Sequence, residues 1–169
     1  MKKYLFLCLI ALFTTSAMAQ DAMPTKEETV RFLDRKIKEG TGRVGGETFG
    51  DEKYRDLAVW MNGDELTITY SADRPGSRTT WTNTFNPKYI EKVSVIGVRG
   101  KNALGLVLIQ TAKPVVRSVF ILNGKIEEKD TTGAGFRYFA ADEANGEKVK
   151  KALLHLRDLV KAEDELFGN

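Results

Sequence analysis

Cysteine and histidine each occur only once in this chain, as Cys8 and His155. A lone cysteine excludes an internal disulfide. A lone histidine excludes a His–His metal pair and makes any histidine-based catalysis depend on one residue. Prolines are few: Pro24, Pro75, Pro87 and Pro114 all fall between predicted elements. Also missing is any apolar run near the roughly 20 residues that a spanning helix needs.

The longest apolar run, residues 5–13, follows basic Lys2 and Lys3 and precedes Ala17-Met18-Ala19. A basic start, a short apolar stretch and a small-x-small ending predict a cleavable export signal over 1–19, cut after Ala19. Acylation of Cys8 is excluded because bulky Leu5, Phe6 and Leu7 precede it. Cleavage takes away 19 of the 169 residues and leaves 150, enough for one domain with a real core. It also takes away the thiol and two lysines, so 24 cations face 23 acids, a net +1. Near-neutral charge argues against nucleic acid as a partner, since such binders concentrate positive charge. The expected address is the periplasm or the secreted space, with no membrane span in the mature protein.

Two helices frame the mature chain. Thr25 and Glu28 form a capping box, Val30, Leu33 and Ile37 recur at helical spacing, and Gly40 closes the element. Near the other end, Val149, Ala152, Leu153, Leu156, Leu159 and Val160 make a broad apolar stripe, with Asn145 as the predicted N-cap. Leu166 and Phe167 are expected to tuck against that stripe. Between the helices the sequence predicts a hairpin about Asn62-Gly63, with Val59 facing Leu66 and Leu57 facing Ile68 on one buried face. Further strands are expected at 77–85, 90–98, 103–110, 115–122, 125–130 and 135–140, separated by Gly, Pro and Asn breaks. The strands 103–110 and 115–122 are apolar on both faces, which predicts cover on both. The reading is an α+β domain: 20–50 as leading helix and glycine-rich linker, and 51–169 as an antiparallel barrel or sandwich of seven or eight strands with a closing helix.

Helix, meandering strands and closing helix form the element order of a pleckstrin-homology-like barrel, which this chain resembles. The stretches Thr25-Lys26-Glu27-Glu28-Thr29-Val30-Arg31-Phe32-Leu33-Asp34-Arg35-Lys36 and Ala152-Leu153-Leu154-His155-Leu156-Arg157-Asp158-Leu159 also look like small exported bacterial proteins of the Bacteroidetes type. The Ala19-Gln20 junction is similar to those of such precursors. The resemblance implies that the last helix plugs one barrel end with the stripe around Leu153 and Leu156, and that a ligand would sit on rim loops or the outer face.

Candidate sites weigh up as follows. The segment 40–46 contains G-x-G-x-x-G, but a helix precedes it and a strand follows, the reverse of a dinucleotide site. It reads as a linker. Asp130-Thr131-Thr132-Gly133 resembles half of an aspartic-protease pair and lacks the second carboxylate that such chemistry needs. Its first three residues fit a short O-glycosylation acceptor pattern, though a plain turn accounts for them. Glu163-Asp164-Glu165 could attract calcium weakly, but has no EF-hand spacing and reads as a solvated helix end. Lys88, Lys92, Arg99 and Lys101 near Trp81 and Tyr89 read as solvated strand faces. His155 reads as a helix-flank histidine. Two apolar residues stand out: Trp60 points away from the Leu57/Val59 face, and Leu154 lies nearly opposite the helix stripe. Either is a candidate partner surface unless the leading helix covers it. The expectation is therefore a non-catalytic binding or protein-interaction module without cofactor or metal. A carrier of a small hydrophobic ligand, requiring a cavity of roughly 300 Å³ or more between sheet and helix, is the second reading. A carboxylate-dependent enzyme is the third.

Overall fold

The structure is a computed structural model and describes residues 23–46, 50–97, 104–140 and 143–167. The expected export segment and the cut after Ala19 lie outside the described residues, as do Val98, Arg99 and Lys101.

Helix α1 (Lys26–Lys38) starts where its capping box predicts, with Glu28 N–H donating to Thr25 Oγ1 at 3.2 Å and Thr25 N–H to Glu28 Oε2 at 2.9 Å. It buries Thr29, Leu33 and Ile37, with Val30 packed at the margin. Among the described residues nine strands follow: β1 (Val44–Gly46), β2 (Gly50–Asn62), β3 (Glu65–Arg74), β4 (Ser77–Phe85), β5 (Ile90–Ile96), β6 (Leu104–Thr111), β7 (Val116–Leu122), β8 (Lys125–Thr131) and β9 (Gly133–Phe139). Helix α2 (Glu143–Phe167) ends the described chain.

All pairings are antiparallel, in a six-stranded sheet ordered β1-β2-β3-β4-β7-β8 and a three-stranded sheet ordered β5-β6-β9. Of the expected barrel or sandwich of seven or eight strands, the described residues form no closed barrel but two separate sheets of nine strands in all. The excursion through β5 and β6 leaves the first sheet after β4, and β7 returns to pair with β4, so two sheets result. Helix α2 packs on α1, β5 and the 3-10 turn Pro87–Tyr89, with Val149, Leu153, Leu156 and Val160 fully buried. The glycine-rich segment is only partly a linker, because Val44–Gly46 joins the sheet as β1.

Four local expectations are corrected. The β2–β3 loop is Gly63-Asp64, with Asn62 paired to Glu65 and Val59 to Ile68 rather than Leu66. Positive φ at Gly63 alone matches a type II′ turn, which takes glycine at its first central position. Helix α2 begins at Glu143, so Asn145 is no N-cap: its buried amide Nδ2 donates to Phe139 O at 3.2 Å, tying the helix to β9. Leu166 and Phe167 continue the helix and are exposed. On β6, the second apolar face is incompletely covered, with Leu106 half-buried and Leu108 exposed.

Candidate functional site

Among the described residues, strand β2 has a strand partner on only half of one edge. Strand β1 reaches Lys53, and Arg43 and Gly42 extend the cover to Tyr54, whose N–H donates to Arg43 O and whose carbonyl accepts from Gly42 N–H. Beyond that point the edge has no strand partner among the described residues. A bulge at Asp56, whose φ is +53°, shifts the register between Arg55 and Ala58 and keeps Tyr54, Leu57 and Val59 all facing the core. Helix α1 lies along the open edge, and Asp34 Oδ1 accepts the Val59 N–H at 3.0 Å in place of a strand carbonyl. Strand geometry then turns the Met61 N–H toward the same edge.

Between α1 and this edge runs a groove of about 490 Å³, lined in part by Val30, Arg31, Val59, Trp60 and Met61. Trp60 is 45% exposed beside it. Lys26 closes one end, bonded to Asp64 of the hairpin at 3.1 Å and to Glu163 of α2. Burial lowers the pKa of its ammonium, but those two carboxylates outweigh burial and hold it above the usual lysine value. Leu154 differs from Trp60: it is half-buried and packs against the core.

Behind Trp60, the outer face of β3 and β4 carries a hydroxyl ladder. Thr67–Thr84, Thr69–Thr82 and Ser71–Thr80 pair across the strands at 3.0, 3.0 and 2.9 Å. These bonds satisfy the hydroxyls within the sheet and stiffen the strand that carries the hairpin.

The core-side face of the same sheet carries a row of aromatics. Tyr54 tilts against Tyr70 at 6.2 Å, Tyr70 stacks on Trp81 at 4.9 Å, and Trp81 meets Phe120 edge-on at 5.6 Å. The buried end is pinned by a polar cluster. Tyr54 Oη donates to Glu52 Oε2 at 2.5 Å, Arg137 Nε donates to Tyr54 Oη at 3.1 Å, and Arg74 pairs with Glu52. Burial, partly opposed by Arg137, pushes the Tyr70 phenol up to about 12, so it stays neutral. Glu52 is the only buried carboxylate among the described residues. This carboxylate accepts from a phenol and pairs with a guanidinium, which fixes the Tyr54 ring in place.

The open end of the row is a cleft of about 300 Å³ lined by Trp81, Ser118, Phe120, Glu127 and Lys129. A third recess, about 580 Å³, lies between α1 and α2 and includes Pro24, Phe32, Ala152 and His155. The His155 Nε2 lies 2.8 Å from Pro24 O, a donation that fixes the ring as a clasp on the start of α1. The remaining sequence candidates are taken up by packing. Glu163 and Asp164 pair with Lys26 and Lys88, so this acidic run ties α2 to α1 and to the 3-10 turn. Asp130 and Thr131 end β8 and do not form a turn. Among the described residues, no group of three His, Cys, Asp or Glu is placed to hold a metal ion. No helix among them is long and apolar enough to cross a membrane.

Fold and surfaces define the class: an α+β domain of two antiparallel sheets framed by two helices, with a groove, a cleft and a recess on its exterior. No family model, curated protein sequence or solved structure matches this chain.

Proposed function

We propose that this protein is a non-catalytic interaction module of the cell envelope or secreted space, which captures an extended segment of a partner protein along the open edge of β2. The observation that carries the reading is Trp60, 45% exposed beside a groove between α1 and a stretch of β2 edge that, among the described residues, has no strand partner. An incoming strand gains main-chain hydrogen bonds from such an edge, and alternate side chains fall toward apolar residues such as Val30 and Met61. Trp60 supplies the kind of amphipathic anchor that dominates interface energetics. Location outside the cytoplasm is supported by the charge and hydropathy pattern of residues 1–19. Helix, strands and closing helix in that order support an opened variant of the pleckstrin-homology-like architecture.

The test is a random peptide library displayed against the immobilised protein. Enriched peptides should protect the Met61 amide from exchange, and Trp60→Ala should weaken them about tenfold or more, an effect of at least about 1.4 kcal/mol. Peptides that bind equally well to the Trp60→Ala protein would sink the proposal.

Carriage of a small hydrophobic ligand is the second reading. Leu33, Leu66, Leu104, Leu153 and Leu156, between sheet and helix, are fully buried. What favours the reading is the external recess between α1 and α2, beside Phe32 and Ala152. A fatty-acid probe whose binding is abolished by Ala152→Glu would promote it over the peptide reading.

A further inference from the structure

The aromatic row has a consequence on the opposite face from Trp60, independent of the peptide groove. Sheet aromatics facing a core are normally covered, yet Trp81 and Phe120 are only half-buried. The cause is topological. The β7–β8 hairpin adds two strands to the first sheet, and β8 packs chiefly on β7, so among the described residues the three-stranded sheet and the helices stop short of this end. On β7 the core-side residues run from fully buried Val116 through half-buried Ser118 and Phe120 to exposed Leu122. Trp81 and Phe120 therefore form the floor of an open cleft.

That floor is held in place before anything binds. Trp81 stacks on Tyr70, Tyr70 leans on Tyr54, and the Tyr54 hydroxyl is fixed by Glu52 and Arg137. The rim is supplied by β8, where Glu127 stands opposite Phe120 and Lys129 opposite Ser118. Among the described residues neither Glu127 nor Lys129 forms an ion pair. The two charges cancel, so the rim selects neither anions nor cations. It offers one strong acceptor and one strong donor, with the Ser118 hydroxyl between them and the floor.

We propose that this cleft binds an uncharged saccharide ring. A sugar ring has C–H patches that suit the negative face of an aromatic system, and hydroxyls that both accept from an ammonium and donate to a carboxylate. A purely apolar ligand would meet the floor and desolvate Glu127 and Lys129 without compensation. A ligand of high net charge would be opposed by one of the two. The volume, about 300 Å³, lies at the small end of ligand pockets, which suits one or two rings rather than a lipid.

The experiment uses Trp60→Phe protein, in which Trp81 is the sole remaining tryptophan and reports on the cleft. Glucose, galactose, mannose, N-acetylglucosamine, cellobiose and maltose are titrated into the millimolar range, with indole and dodecanoate as apolar comparators. At least one sugar should shift Trp81 emission saturably. Phe120→Ala should weaken it about tenfold or more. Because Phe120→Ala could disturb the sheet, Glu127→Gln combined with Lys129→Met provides a second variant on exposed positions, and it should weaken the sugar while leaving indole unaffected. No saturable response to any of the six sugars, a response to the apolar comparators alone, or sugar binding that survives the rim double variant would each overturn the proposal.

Discussion

Replacing Gly105 with alanine is expected to destabilise the protein by about 3 kcal/mol, the upper range for forcing extra volume into a packed site. Gly105 sits opposite Tyr138 in the β6–β9 pair. A Cβ there would lie 2.2 Å from Tyr138 Cε1 and 2.3 Å from its Cζ. The ring cannot swing aside, because Tyr138 is 2% exposed and held from its other side by Gly146 of α2. At Gly146 a Cβ would meet Val95 Cγ1 at 2.4 Å and Tyr138 Oη at 2.6 Å. A Gly–Tyr–Gly sandwich thus sets how closely α2 approaches the three-stranded sheet. Gly→Ala inside a helix ordinarily stabilises by about 1 kcal/mol, so a destabilising Gly146→Ala is a sharp sign test of this packing. Thermal melts should show Gly105→Ala lowering Tm by about 6–12 °C. Adding Tyr138→Val should recover part of the loss, with a coupling of about 1 kcal/mol or more. A Gly105→Ala protein as stable as the parent would mean that Tyr138 does not occupy this slot.

Leu153→Ala carries the second large effect, about 3 kcal/mol within the range for emptying a leucine-sized hole. Leu153 is fully buried where α2 faces α1 and the β5 region, and the surrounding Leu33, Leu156 and Val149 are themselves fully buried. The neighbouring Leu154 is half-buried at the margin, so Leu154→Ala should cost about 1 kcal/mol or less. Leu153→Met, which nearly conserves volume, should cost under about 1.5 kcal/mol. Urea denaturation of the three variants checks the order. If Leu154→Ala proved as costly as Leu153→Ala, the assignment of the buried stripe would be wrong. A small Leu154 cost also makes Leu154→Ser usable as a folded probe of that surface, and Trp60→Ala serves likewise on the groove.

The local elements were legible because their causes are local. Thr25 and Glu28 lie within one helical turn, so the capping box announces α1 without help from the rest of the chain. Strand β4 begins and ends at the residues its flanking Pro-Gly and Asn-Pro breaks indicate. The hairpin shows where local reasoning slips. Asn62-Gly63 marks the turn, but Gly63 takes the first loop position and Asn62 stays in the ladder. The partner of Val59 therefore moves by two residues, from Leu66 to Ile68. A slip of two preserves the faces, which is why Trp60 still points outward, as the alternation says.

The rest depends on contacts between distant residues. Tyr54, Tyr70, Trp81 and Phe120 align only because β7 pairs with β4 after the chain has detoured through β5 and β6. Tyr54 and Arg137 are 83 positions apart, and no periodicity relates them. The close contacts at Gly105 and Gly146 are equally silent, since a glycine in a strand or helix has many reasons to be there. The sequence by itself determined the two amphipathic helices, the run of antiparallel strands and the outward face of Trp60, because turn chemistry and hydrophobic period act over a few residues. Only the tertiary structure decided that no barrel closes, that α1 borders the β2 edge beyond Tyr54, and that Trp81 and Phe120 stay half-buried. Those outcomes follow from which strands pair and how far each layer reaches, which nonlocal packing sets.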